Sequence, residues 1–285
     1  MKYIENLIRL TKNRISLLKN NSKLKDELDT LKNEYYLIPK NKNESMSRIT
    51  AYPLTYNQDG LTTWHICDFM DNKHFIDSYN LGKKTGSWAD LDLHWRVYTV
   101  CWAARIGISL EGDFVECGVN RGGFARAIIN YTNFSKSEKK FYLLDTYCGI
   151  NKQHLTEEEI INGINPNNPN QTDCYQDVLE TFKEFKNVKI VKGSIPETLN
   201  QVTSNKIAFL SIDLNNAKPE IAAANFFWDK LSPGAIIVLD DYAYSDVYKI
   251  QRIEFNNFAK DKNVEILTLP TGQGLIIKPE TKTNL

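Results

Sequence analysis

The chain has 285 residues, 42% of them hydrophobic and 25% charged, which is room for one large globular domain plus an appendage. Lys plus Arg and Asp plus Glu balance at 35 each, so no global field draws nucleic acid or an acidic membrane, and neither is expected as a partner. The five cysteines, Cys67, Cys101, Cys117, Cys148 and Cys174, form no CxxC pair, which speaks against a disulfide framework or zinc site and for reduced thiols in a cytoplasmic protein.

Residues 1–36 contain neither Gly nor Pro and predict one helix. Charge interrupts its start too often for a secretory signal, and no run in the chain approaches bilayer-spanning length. Tyr3, Leu10, Leu17, Leu24 and Leu31 recur every seven residues, whereas Arg14 and Asn21 break the companion seam of Leu7, Leu28 and Tyr35. Two readings stand: a helix packed on its own domain, or an element holding a homo-oligomer together. Polar residues 37–60, with two prolines, read as a linker or docking loop. Residues 61–110 read as helical, ending in a helix with Leu93, Val97, Val100, Cys101, Ala104 and Ile108 at helical spacing. The predicted division is a helix over 1–44, a helical cap over 45–110 and a main domain over 111–285.

From Glu111 onward strands and helices alternate. DFVEC, KFYLLD, NVKIVKG, KIAFLSID and AIIVLDD predict strands, with helices in FARAIINY and PEIAAANFFWDKL and a further one near 246–260. VEILTL and LIIK follow, joined through PTGQG, and predict an antiparallel hairpin at one edge. The expected fold is α/β: a doubly wound, mostly parallel, Rossmann-like sheet with that hairpin and an N-terminal helical extension. Residues 148–178 form a long, Asn-rich insertion between the second and third strands, expected to act as a lid over bound ligands.

Three signals carry chemistry. Glu116-Cys-Gly118-Val-Asn120-Arg-Gly122-Gly123 sits where a strand ends and a helix begins, where glycine lets backbone approach a ligand. The spacing is not G-x-G-x-x-G, which argues against a NAD-dependent oxidoreductase. An acid inside such a motif suits an amine-bearing ligand, although a tight structural turn reads the same way. Asp145, at the tip of the next strand, can accept hydrogen bonds from a ribose diol. Together Glu116 and Asp145 point to a nucleoside with an amino-acid tail. Asp213, Asp240 and Asp241 lie at the tips of adjacent strands, where three like charges require a cation or a proton. A hard cation such as Mg²⁺, Mn²⁺ or Ca²⁺ suits them, and a helix cap plus pairing with Lys or Arg is the competing reading. Of the histidines, His94 and His154 are candidates for a general base, against packed or solvated roles.

FVECGVNRGG, LLDTYCG, SIDLN and LSPGAIIVLDDYAY, in this order and spacing, resemble the macrocin O-methyltransferase family, which methylates hydroxyls of sugars; the likeness runs from about Asp113 to Tyr242, and more loosely to 270–278. The resemblance implies a class I methyltransferase fold over 111–285 and S-adenosylmethionine as cofactor. Glu116, Gly118, Gly122 and Gly123 would hold its methionine part and Asp145 its ribose. Gly193 and Ser194 would lie near its adenine, with Asn120, Thr146 and Asp213 completing the set. Asp213, Asp240 and Asp241 match positions that bind Mg²⁺ (or Mn²⁺), which in turn holds a sugar-like small-molecule acceptor. The family carries Asp-Gly-Asp where this chain has Asp213-Leu214-Asn215, so the proposed base is replaced by an amide. Asp213 and His94 are then the catalytic candidates. Methyl transfer to a phosphate or phosphoramidate oxygen, and a non-catalytic scaffold, are the alternative functions.

Overall fold

The computed structural model describes residues 54–165, 167 and 172–280. The heptad helix predicted over 1–36 lies outside the described residues.

A seven-stranded sheet organises the chain from residue 113 onward. Its strands are β3 (Asp113–Cys117), β4 (Phe141–Asp145), β5 (Val188–Lys192), β6 (Ile207–Ile212), β7 (Leu231–Leu239), β8 (Leu267–Thr268) and β9 (Gly274–Ile277). The order across the sheet is β5-β4-β3-β6-β7-β9-β8. The first five strands pair in parallel, and β9 returns antiparallel to β7 and β8. Chain order reverses between β3 and β6, and such a switch point opens a crevice at the carboxyl ends of the strands. The doubly wound α/β fold and its antiparallel C-terminal hairpin are thereby both present.

The strands form because both faces of the sheet are covered. All six residues of Ile207–Ile212 are buried, the continuous apolar run of a central parallel strand. Successive side chains alternate between two cores. Phe114, Phe141 and Phe209 face α1 (Lys73–Lys83), α2 (His94–Ile108) and α3 (Gly123–Tyr131). Val115, Leu210 and Ile237 pack instead with residues of α6 (Ala217–Trp228) and α7 (Lys249–Lys262). Among the described residues no helix is long and apolar enough to cross a membrane.

Two segments differ from their expected form. Residues 56–63, divided between loop and helix by the pattern, form a hairpin of β1 (Tyr56–Gln58) and β2 (Leu61–Thr63). Asp59 and Gly60 both take positive φ, 51° and 72°, as a tight two-residue hairpin turn demands. The insertion contains α4 (Glu157–Ile161) and the start of α5 (Tyr175–Phe182). Thr156 and Glu159 form a reciprocal capping box at the start of α4. Glu159 is fully buried, and its second oxygen accepts the Ala217 N–H at 2.7 Å, pinning the insertion to the first turn of α6.

Candidate active site

The crevice opens over the ends of β3, β4, β5 and β6. Glu116, the penultimate residue of β3, lies behind the crevice lining at 1% exposure, and its Oε2 has no hydrogen-bond partner. Burial, with Asp145 and Asp240 nearby, pushes its carboxyl well above the usual range. Its register partner on β6 is Ser211, whose buried Oγ is also unpartnered. Two open polar atoms on adjacent strands, one an acid, fit the ammonium and polar tail of an amino-acid ligand.

Asp145 acts first on the protein itself. Its Oδ2 accepts the N–H of Val119 at 2.6 Å and of Asn120 at 2.8 Å, and its Oδ1 accepts that of Tyr147 at 2.6 Å. The carboxylate therefore braces the turn after β3 while lying at the crevice wall. Gly118 takes φ 88°, and a Cβ there would stand 1.7 Å from the Asp213 carbonyl oxygen, so β6 itself forbids any larger residue. Gly122 and Gly123 answer to packing. A Cβ on the first would meet Phe182 at 2.4 Å and on the second Ser87 at 2.8 Å, and neither lines the crevice. Asn120, Thr146, Gly193, Ser194 and Asp213 do line it, with Asn151 and His154 from the insertion. Asn151 Nδ2 donates to Ser194 Oγ at 3.0 Å, so insertion and β5 loop close on each other.

At the β6 end, Asn215 Nδ2 donates to Asp213 Oδ1 at 3.1 Å, and Tyr248 Oη donates to Asn215 Oδ1 at 3.1 Å. The amide that stands where a second acid was expected thus orients the first. Burial and the charges of Asp240 and Asp241 raise the Asp213 carboxyl well above its ordinary value. Asp241, raised by burial and Asp240, reaches about 7. Behind this turn Glu220 accepts the Leu214 N–H at 3.0 Å, and burial lifts its carboxyl to about 8.

Asp240 and Asp241 do not present open ligands. Arg96 of α2 reaches both: its Nη1 lies 3.1 Å from Asp240 Oδ2 and its Nη2 3.2 Å from Asp241 Oδ1. Asp240 Oδ1 accepts Gln273 Nε2 at 2.8 Å. Among the described residues no three His, Cys, Asp or Glu side chains converge to hold a metal ion. The donor set that the resemblance assigned to Mg²⁺ does not fit it, because a guanidinium already occupies the space between the carboxylates. Of the two readings of these acids, pairing with Arg describes the geometry.

The expectation that His94 serves as base fails on position. Its ring stacks on Tyr79 at 4.0 Å, edge-on to Tyr56, and is not part of the crevice lining. Burial lowers its affinity for a proton, as for a packed histidine. Sequence reasoning missed Arg96, Asp59, Gln273 and Tyr248. Arg96 alone carried a signal, as the charged residue inside the apolar stripe of α2.

Fold and crevice together define a class I, S-adenosylmethionine-dependent methyltransferase. The family of macrocin O-methyltransferases (TylF) matches residues 99–266, and the chain belongs to it. The 8-demethyl-8-(2,3-dimethoxy-alpha-L-rhamnosyl)-tetracenomycin-C 4'-O-methyltransferase of Streptomyces olivaceus is 23% identical over 154 residues. That match spans 50% of this chain and 58% of the relative's length. The O-methyltransferase NovP superposes with a TM-score of 0.58 at 19% identity, over 72% of this chain and 88% of that one, a likeness of fold.

Proposed function

We propose that this protein transfers a methyl group from S-adenosylmethionine to a hydroxyl of a sugar or sugar-derived small molecule. The observation that carries the reading is Glu116: a buried acid with an open oxygen, beside a turn braced by Asp145, at the switch point of a class I sheet. The name of the Streptomyces olivaceus relative, a rhamnosyl-tetracenomycin-C 4'-O-methyltransferase, supports a glycosyl acceptor. When bound, the cofactor supplies an electrophilic sulfonium methyl. Glu116, whose Oε2 has no partner within the protein, is the acid that pairs with the ligand's ammonium. Asp145 keeps the Val119 and Asn120 amides fixed beneath it. Asp213, which lines the crevice, takes the hydroxyl proton in its ionised form. Asn215 and Tyr248 fix its orientation, so alignment is set before reaction. The insertion, pinned through Glu159 and Asn151, excludes water. No step is assigned to a metal.

Residues 1–44 serve assembly into a homo-oligomer. Residues 45–110 serve as a cap on the catalytic domain. The five free thiols support a cytoplasmic setting. Calorimetry with S-adenosylhomocysteine, followed by methylation assays on a panel of nucleotide sugars, tests the activity. Saturable binding is expected. No heat and no thermal shift with either cofactor form would defeat the reading.

A further inference from the structure

We propose that the Arg96 guanidinium stands in for a divalent cation among Asp59, Asp240 and Asp241, so that this chain works without a bound metal. The inference rests on the methyl-transfer reading above. Arg96 is 7% exposed and sits among three acids. Besides its contacts with the side chains of Asp240 and Asp241, its Nη2 donates to the Asp240 carbonyl at 3.0 Å. Asp59 Oδ2, from the turn of the β1–β2 hairpin, approaches Nε at 3.6 Å. The Tyr244 ring lies 4.5 Å below the guanidinium carbon. Elements remote in sequence, the hairpin, α2, β7 and the β8–β9 turn, all contribute to this arrangement, which is a built site.

A metal at the same carboxylates would face a permanent positive charge, since a guanidinium does not deprotonate in proteins. Mg²⁺ needs oxygen ligands near 2.0–2.1 Å in octahedral array. The Asp240 oxygens are already engaged by Arg96 and Gln273, and one Asp241 oxygen by Arg96. Displacing Arg96 would leave a buried cation without its acids. Burial by itself would loosen the Arg96 proton, yet Asp240, Asp241, Asp59 and Asp213 outweigh it and hold the group firmly charged. Its Nε is a buried donor without a hydrogen-bond acceptor, with the Asp59 carboxylate 3.6 Å away. The guanidinium thus supplies the positive charge that a metal would, compensating the acids beside Asp213.

The test uses the full-length chain. Wild-type protein, stripped with EDTA, is titrated calorimetrically with Mg²⁺ and with Mn²⁺, and its metal content is measured after dialysis against each. S-adenosylhomocysteine binding is measured in parallel, in chelator. Expected are no stoichiometric ion, unchanged cofactor affinity and, with an accepted sugar, full activity in EDTA. Arg96→Ala is expected to lose activity roughly 100-fold and to gain Mg²⁺ or Mn²⁺ binding as the acids are freed. One tightly bound divalent ion per wild-type chain, or activity lost in EDTA and restored by metal, would overturn the proposal. Should Arg96→Ala fail to fold, the wild-type titrations decide alone. Failure of S-adenosylhomocysteine to bind would strike the methyl-transfer reading instead, and the metal titration would still be read on its own.

Discussion

Replacing Asp145 separates two roles that a strand-end acid can have. If it only held a ribose, its loss would weaken cofactor binding and leave the free protein intact. The structure gives it prior work, because three backbone N–H groups, those of Val119, Asn120 and Tyr147, end on its oxygens at 2.6–2.8 Å. Hydrogen bonds to a charged group contribute about 1.5–3 kcal/mol each. Water can reach the exposed Asn120 amide but not the buried Val119, so about 2–4 kcal/mol of stability should go in Asp145→Ala. For a protein of this size that is a fall of about 5–15 °C in the melting temperature of the ligand-free protein. Asp145→Asn should do nearly as badly. An amide has one acceptor oxygen, and whichever way it turns its NH₂ faces a backbone N–H. Affinity for S-adenosylhomocysteine should fall roughly 10–100-fold, a change of about 1.4–2.8 kcal/mol. Differential scanning calorimetry and titration calorimetry on both variants read the two effects. A ligand-free Asp145→Asn protein that melts with the wild type would refute the bracing argument, whatever happened to binding.

Gly118→Ala places a Cβ 1.7 Å from the Asp213 carbonyl oxygen, so β6 and the turn must move apart. It should abolish measurable cofactor binding, whereas Gly60→Ala, at positive φ with nothing within 4 Å, should show only the conformational cost of about 1–3 kcal/mol. Similar melting losses in the two variants would show that the close approach is unimportant. Glu220 tests linkage. Its folded value of about 8 lies above the ordinary 4.5, so the folded state keeps a proton that the unfolded chain releases. Stability from this group is present below 4.5 and is lost as pH rises through 8. Glu220→Gln should therefore melt above the wild type at about pH 9, by at most about 5 kcal/mol, and lose that advantage at about pH 5. A difference independent of pH would mean that Glu220 is ionised in the fold.

Strand–helix alternation from residue 111 onward was legible because apolar runs of five or six residues between helical segments have few other ways to be buried. Glu116, Asp145 and Asp213 were legible for the same reason: each stands within a residue of its strand's carboxyl end, and in a parallel sheet those ends share one crevice. Local pattern also holds the capping box of Thr156 and Glu159 and the Asp59-Gly60 turn, signals outweighed by the polarity around them. The glycines show where the reading stops. Gly118, Gly122 and Gly123 look alike in sequence, yet what each must avoid, a carbonyl of β6, the Phe182 ring or the Ser87 side chain, is set by chain segments far away. Charge shows it more strongly. Asp240 and Asp241 announce a need for a cation but cannot name it, because electrostatic energy depends on distance in space. Only the packing of α2 against β7 brings Arg96 to them, and only the two hairpins add Asp59 and Gln273. Sequence determined the sheet and which acids stand at its edge; tertiary structure decided what neutralises them.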